Sequence, residues 1–266
     1  MNQNFNQKTI GTREWYDFIG QMANLLSGLH LGGTNATTDL IKMCQLDSHS
    51  RVLDAGCGSG YTACLIAREY GSRVVGVDLS EIMINQAIER ARKQDLVDKV
   101  EFRVGDLFQL PFEDQIFDLV IAESVLTPLP GDKKKALNEF VRVLKPGGKV
   151  AVNESTVDPT APPEFLDLVA EHPAIHGHFT PHALRELFME AGLQLVEMTE
   201  IKTSDAPGGL KDLGLLNLLS FMIRVYPRIL LKLLRDKRFR EASKIDDKIT
   251  KGGQDYMSYC LIVGQK

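Results

Sequence analysis

Cysteine is scarce in this chain of 266 residues. The four are Cys44, Cys57, Cys64 and Cys260, with no C-x-x-C pair and no flanking histidines. That spacing argues against a disulfide framework or a zinc site, and predicts buried free thiols and no bound metal. Excess positive charge is also missing. Lys and Arg total 31 against 35 Asp and Glu, a net charge of −4. A duplex-binding protein needs a basic face, so no nucleic-acid partner is expected. The loop sequence "IAESVL" (121–126) has no stacking motif of the N-P-P-Y type for a flipped base. The start, "MNQNFNQKTIGTREWYDF", has no apolar run behind a basic opening, which predicts a cytoplasmic chain without a signal peptide. Neither an internal repeat nor a low-complexity tract is present. What remains, 44% hydrophobic and 25% charged residues, is the profile of a globular protein.

Short β-branched apolar runs at 51–55, 73–78, 100–105, 117–122 and 148–154 read as strands. Helical patterns at 60–70, 80–94 and 133–144 lie between them, with Ser80 a natural cap. Further helices are expected at 13–28 and 34–46, the second with Thr34 as cap, and at 163–171 and 181–191. For 181–191, Thr180 is the cap, Pro181 the first helical residue, and Phe179 a staple onto Leu184. Runs at 193–201 and 256–264 complete seven strands. Strands alternating with helices predict an α/β fold, a parallel sheet with helices on both faces.

One stretch carries the chemistry. "VLDAGCGSG" (52–60) places Gly56, Gly58 and Gly60 on alternate positions directly after a strand. Glycine inside an element costs roughly 0.5–1 kcal/mol against alanine, so a compensating gain is needed, and close approach of a ligand to the backbone supplies one. Dinucleotides and S-adenosylmethionine are the two ligand classes that fit. The spacing is G-x-G-x-G, whereas the dinucleotide fingerprint is G-x-G-x-x-G. Asp54 precedes the glycines; it would repel a pyrophosphate and attract an ammonium or sulfonium group. Asp78 ends the next strand, where a carboxylate accepts from ribose hydroxyls. Asp106 follows the third strand and Glu123 the fourth.

In that order and spacing, "VLDAGCGSG", "VVGVDLS", "VGDLFQLPFEDQIFDLVIAESVL" and "VLKPGGKVAV" resemble the class I S-adenosylmethionine-dependent methyltransferases. The likeness is greatest to small-molecule members of the quinone-biosynthesis and phosphoethanolamine type. It implies a Rossmann-like, seven-stranded, mostly parallel sheet, with a helical cap at 1–48 and the cofactor-binding domain at 49–202 and 255–266. It also implies roles for matching residues. Asp54 and the loop Gly56, Cys57, Gly58 and Gly60 would hold the methionine moiety, and Asp78 the ribose. Leu79, Asp106 and Leu107 would frame the adenine, Glu123 would meet the amino-acid end through its backbone, and Tyr16 would cover the sulfur. Relatives often carry His at position 128 and an acid at 124; here stand Pro128 and Ser124, so a base in that loop is in doubt.

Methyl transfer from a sulfonium is an in-line displacement that needs alignment and a dry pocket before it needs a base. If a base exists, "EHPAIHGHF" (171–179) offers His176 and His178, while His172 ends a helix; surface histidines are the plainer alternative. His30 would line the cofactor entrance or simply end a helix. The implied function is methyl transfer to a small acceptor, lipophilic ones included; a non-catalytic S-adenosylmethionine-binding sensor or scaffold is the alternative.

About 50 residues separate the last two strands, far more than a tight connection requires. This 203–254 stretch reads as a helical insertion. Within it "LGLLNLLSFMIRVYPRILLKLLRDKR" (213–238) is apolar but carries Arg224, Arg228, Lys232 and Arg235, too many charges for a spanning helix. Pro227 would kink it or start a second helix. Three roles stay open: peripheral membrane contact through 210–238, a lid over a greasy pocket, or a subdomain packed on the sheet or in a homodimer.

Overall fold

The computed structural model describes residues 32–172, 175–203, 226–253 and 255–266. The expected helix at 13–28, Tyr16, His30, Pro173 and Arg224 lie outside them. Helix α1 (Gly33–Cys44) leads into β1 (Arg51–Ala55), α2 (Tyr61–Tyr70), β2 (Arg73–Asp78), α3 (Glu81–Lys93), β3 (Val100–Val104) and β4 (Phe117–Glu123). Then follow α4 (Lys133–Val143), β5 (Leu144–Val157), α5 (Pro163–Ala170), α6 (Pro181–Glu190) and β6 (Gln194–Lys202). Helices α7 (Tyr226–Arg235) and α8 (Lys237–Gly252) precede the last strand, β7 (Met257–Gln265).

The seven strands form one sheet in the order β3-β2-β1-β4-β5-β7-β6. β1 to β5 run parallel, and β7 is antiparallel to both β5 and β6. The strand order turns between β1 and β4, so the loops after these two neighbours diverge and leave a crevice at their carboxyl ends.

Strand side chains alternate between two apolar layers, as the pleat requires. Leu53, Val120, Ala122, Val150 and Val152 face one layer with Leu137 and Phe140 of α4 and Leu184 and Phe188 of α6. Val52, Leu119, Ile121 and Ala151 face the other, with Leu40 and Ile41 of α1 and Cys64 and Ile66 of α2. All four cysteines are buried free thiols.

The caps at Ser80 and Thr180 form: their hydroxyls accept from Met83 N and Ala183 N. Phe179 and Leu184 join one apolar cluster. Two expectations need correction. Thr34 does not cap α1; Gly32 does, in a left-handed conformation, and the Thr34 hydroxyl instead meets the Tyr61 hydroxyl at 2.7 Å. β5 starts at Leu144 rather than 148, because Leu144 already pairs with Phe117 before Pro146–Gly147–Gly148 shift the register.

The described end of the insertion is helical. Ile249 of α8 packs with Phe165 and Val169 of α5, and Val157 and Ala161 join them. Replacing Ser80 with alanine removes the cap of α3, and thermal unfolding should show a loss of about 1 kcal/mol.

Candidate functional site

At the carboxyl end of β1 the backbone turns sharply. Gly56, Gly58 and Gly60 all adopt left-handed φ, at 77°, 50° and 74°. The Val77 carbonyl accepts from Gly56 N (2.7 Å) and Cys57 N (3.0 Å), pinning the turn to the end of β2. Asp78 completes the joint: Oδ2 accepts from Gly58 N (2.9 Å) and Oδ1 from Ser80 N (2.8 Å). One half-buried carboxylate thus ties the glycine loop to the start of α3.

The two outer glycines differ from the central one. A Cβ at Gly60 would lie 2.7 Å from Phe102 and 2.8 Å from Ala87. One at Gly56 would lie 2.5 Å from Val125. At Gly58 it would meet nothing within 4 Å. Packing demands glycine at Gly56 and Gly60, whereas Gly58 faces open space where a ligand can reach the backbone.

Three acidic side chains gather behind this loop. Asp54 is only 3% exposed, and its Oδ2 accepts from Ala63 N at 3.0 Å. It therefore caps α2 from beneath the loop and acts on a ligand through its field. Burial first, then Glu123 and, more weakly, Asp78 hold its pKa well above the usual carboxylate range; the Ala63 bond opposes them. Glu123 ends β4. Its Oε1 accepts from the Thr62 hydroxyl (2.7 Å), its Oε2 from the Thr37 hydroxyl (3.0 Å) and Asn153 Nδ2 (3.3 Å). These bonds turn the carboxylate toward the protein.

The remaining expected positions divide. Leu79 is 58% exposed beside Asp78, an apolar surface for a flat base. Asp106 is exposed, and its Oδ1 turns the chain by accepting from Phe108 N. Leu107 points into the core, which leaves only its backbone for a ligand. Cys57 is buried, and burial pushes its thiol well above the usual range, so it serves as packing.

On the other side of β5 the loop after β4 is held at several points. Ser124, at φ 55°, donates its N–H to the Asn153 carbonyl (2.7 Å). Leu126 N donates to Glu154 Oε2 (2.7 Å), and Thr127 Oγ1 meets Ser155 Oγ (3.2 Å). Glu154 is 1% exposed, and burial raises its pKa. Lys133 Nζ donates to the Leu129 carbonyl. His176 N donates to the Thr127 carbonyl (2.9 Å), which seats the histidine loop against this wall. Burial, then Lys133, lower the His176 pKa. His178 is exposed in the same loop. His172 is buried, pushed down to about 4, and 3.8 Å from Asp246.

Sequence reasoning missed Thr37, Thr62, Asn153 and Glu154. The polar pair Asn153–Glu154 interrupting the apolar run "VAV" of β5 was the available signal. Asn153 serves the face toward α1 and α2, and Glu154 the opposite face.

Comparisons with known proteins bear on this geometry. A family model described as a methyltransferase domain matches residues 46–208. Methyltransferase GfsG of Streptomyces halstedii is 32% identical over 186 residues, covering 66% of this chain and 64% of that protein. The chain spans less than two thirds of the length of the curated relatives it matches. Among solved structures, the (4+2)-cyclase SpnF superposes with a TM-score of 0.77 at 20% identity, over 97% of each chain. A SAM-dependent methyltransferase from Thiobacillus denitrificans, in complex with S-adenosyl-L-homocysteine, superposes with 0.71 at 20% identity, over 96% of this chain and 99% of that one. At that identity the likeness is one of fold.

The glycines separate packing from binding. Gly58→Ala should cost about 1 kcal/mol for its left-handed backbone alone. Gly60→Ala adds two clashes and should lower the melting temperature by roughly 5 °C or more. Thermal melts of the two variants check the order.

Proposed function

Because the chain belongs to the methyltransferase domain family, we propose that it transfers a methyl group from S-adenosylmethionine to a small-molecule acceptor. The observation that carries this reading is the open Gly58 backbone held by Asp78, with Asp54 and Glu123 behind it. Asp78 and Glu123 make the crevice electronegative, and Asp54 adds to it on ionising. A pyrophosphate is repelled there, and a ligand with ammonium and sulfonium charges is attracted. S-adenosylmethionine supplies, when bound, a methyl group already activated on sulfur.

The protein's own residues then bind and align. Asp78 accepts from ribose hydroxyls, and Leu79 offers apolar surface to the adenine. Asp106 and the Leu107 backbone border that base. The Gly56–Gly60 backbone admits the methionine part, and the Glu123 backbone meets its amino-acid end. Residues 32–48 cap the site, a role supported by the ties from Thr34 to Tyr61 and from Thr37 to Glu123. The loop 124–129 and residues 175–179 wall the acceptor side. Burial and then Lys133 favour the neutral form of His176, which can take a proton from an acceptor that must lose one; His178 stands beside it as a substrate contact. Lipophilic acceptors suit the apolar character of the 203–254 insertion. We place the protein in the cytoplasm.

Calorimetry tests the reading. Wild type should bind S-adenosylmethionine, Gly58→Ala should weaken binding at least tenfold, and Asp78→Ala should abolish it. No binding to wild type, or full binding by Asp78→Ala, overturns the proposal. Tight binding with no methyl release to any acceptor would indicate a sensor instead.

Asp54 adds a pH dependence. Its folded pKa lies above the unfolded value, so its contribution to stability is present at low pH and lost as pH rises through the folded pKa. Asp54→Asn should therefore raise the ligand-free melting temperature at neutral pH, by roughly 2–4 °C per kcal/mol relieved. A cationic ligand favours the ionised form, so binding should release protons and tighten with rising pH. Titrations in buffers of different ionisation enthalpy measure that release.

A further inference from the structure

Helix α7 turns apolar side chains outward. Leu234 is 68% exposed, and Tyr226, Leu230 and Leu231 are 44–46% exposed. At about 100° per residue these four, with Pro227, occupy an arc of about 140°. Positions 228, 232 and 235 fall beside that arc, within about 60° of one another, and all are basic. Residues 226–240 carry six basic side chains and one acidic, a net +5. The whole chain is −4, so the rest of it carries −9.

The corner after α7 holds this face in place. Asp236 caps α8 by accepting from Arg238 N (3.0 Å) and Phe239 N (3.3 Å). Arg240 Nη1 donates to the Leu233 and Leu234 carbonyls at 2.6 and 2.9 Å, closing the end of α7. α8 is anchored through Phe239, Ala242 and Ile249, which are buried. Among the described residues no helix is long and apolar enough to cross a membrane.

We propose that α7 docks in the plane of an anionic membrane surface, its Tyr226–Leu230–Leu231–Leu234 face in the interface and its basic flank on lipid headgroups. The charge selects this occupant. Two copies of a +5 segment face to face would repel, whereas anionic headgroups neutralise it. The inference rests on the exposed face and its charge, independently of methyl transfer.

Sedimentation of the full chain with vesicles tests it. Phosphatidylcholine vesicles containing phosphatidylglycerol should retain the protein, and pure phosphatidylcholine should retain it at least tenfold less. Leu230→Gln with Leu234→Gln should lose at least tenfold. Arg235→Gln and Lys237→Gln should each lose about fivefold, with an effect that shrinks at high salt. Circular dichroism confirms that each variant folds. No retention on anionic vesicles, or full retention of the double leucine variant, overturns the proposal. So does a dimer in analytical ultracentrifugation that the leucine changes split without altering vesicle binding. S-adenosylmethionine calorimetry on the same variants keeps failure here separate from failure of the methyl-transfer reading.

Discussion

The structure turns on the joint where the end of β2 holds the loop leaving β1. The Val77 carbonyl and the Asp78 carboxylate together take N–H groups from Gly56, Cys57, Gly58 and Ser80. These bonds keep the loop in left-handed conformations that only glycine adopts without strain. They also set where α2 and α3 begin, and α2 in turn packs on the sheet beside α1. Without that joint the crevice between β1 and β4 would have walls but no floor.

The same joint concentrates negative charge. Asp54 must lie under the loop to cap α2, and Glu123 must end β4 to receive Thr37, Thr62 and Asn153. Bringing both into a buried region is unfavourable in the free protein, which is what the raised Asp54 pKa expresses. A cation in the crevice relieves that cost. Stability of the empty protein and affinity for a positive ligand are thus opposed through the same carboxylates.

The glycine joint was legible in the sequence because its geometry is local. Five strand-ending or loop residues, Asp54, Gly56, Gly58, Gly60 and Asp78, fall where backbone spacing alone puts them. Thr37 and Asn153 were not legible, since they meet Glu123 across separations of 86 and 30 residues. Thr34 was misread as a cap for a related reason: its partner Tyr61 is 27 residues away. β5 was read too short because Pro146–Gly147–Gly148 look like a turn, yet Leu144 pairs before it.

The acceptor side of the proposed reading follows different physics. Glu154 crosses the sheet's end to hold Leu126 N, so the start of that loop is fixed by a buried polar network rather than by glycine geometry. A loop fixed in this way gives a rigid backing with few groups free to recognise an acceptor. Recognition must then fall on segments that meet this wall from elsewhere in the chain. Residues 175–179 do so where His176 N donates to the Thr127 carbonyl. Glycine geometry constrains the joint after β1 more tightly than it constrains this loop. On the proposed reading, a constrained donor side and a replaceable acceptor side are the physical basis on which a common fold serves many acceptors.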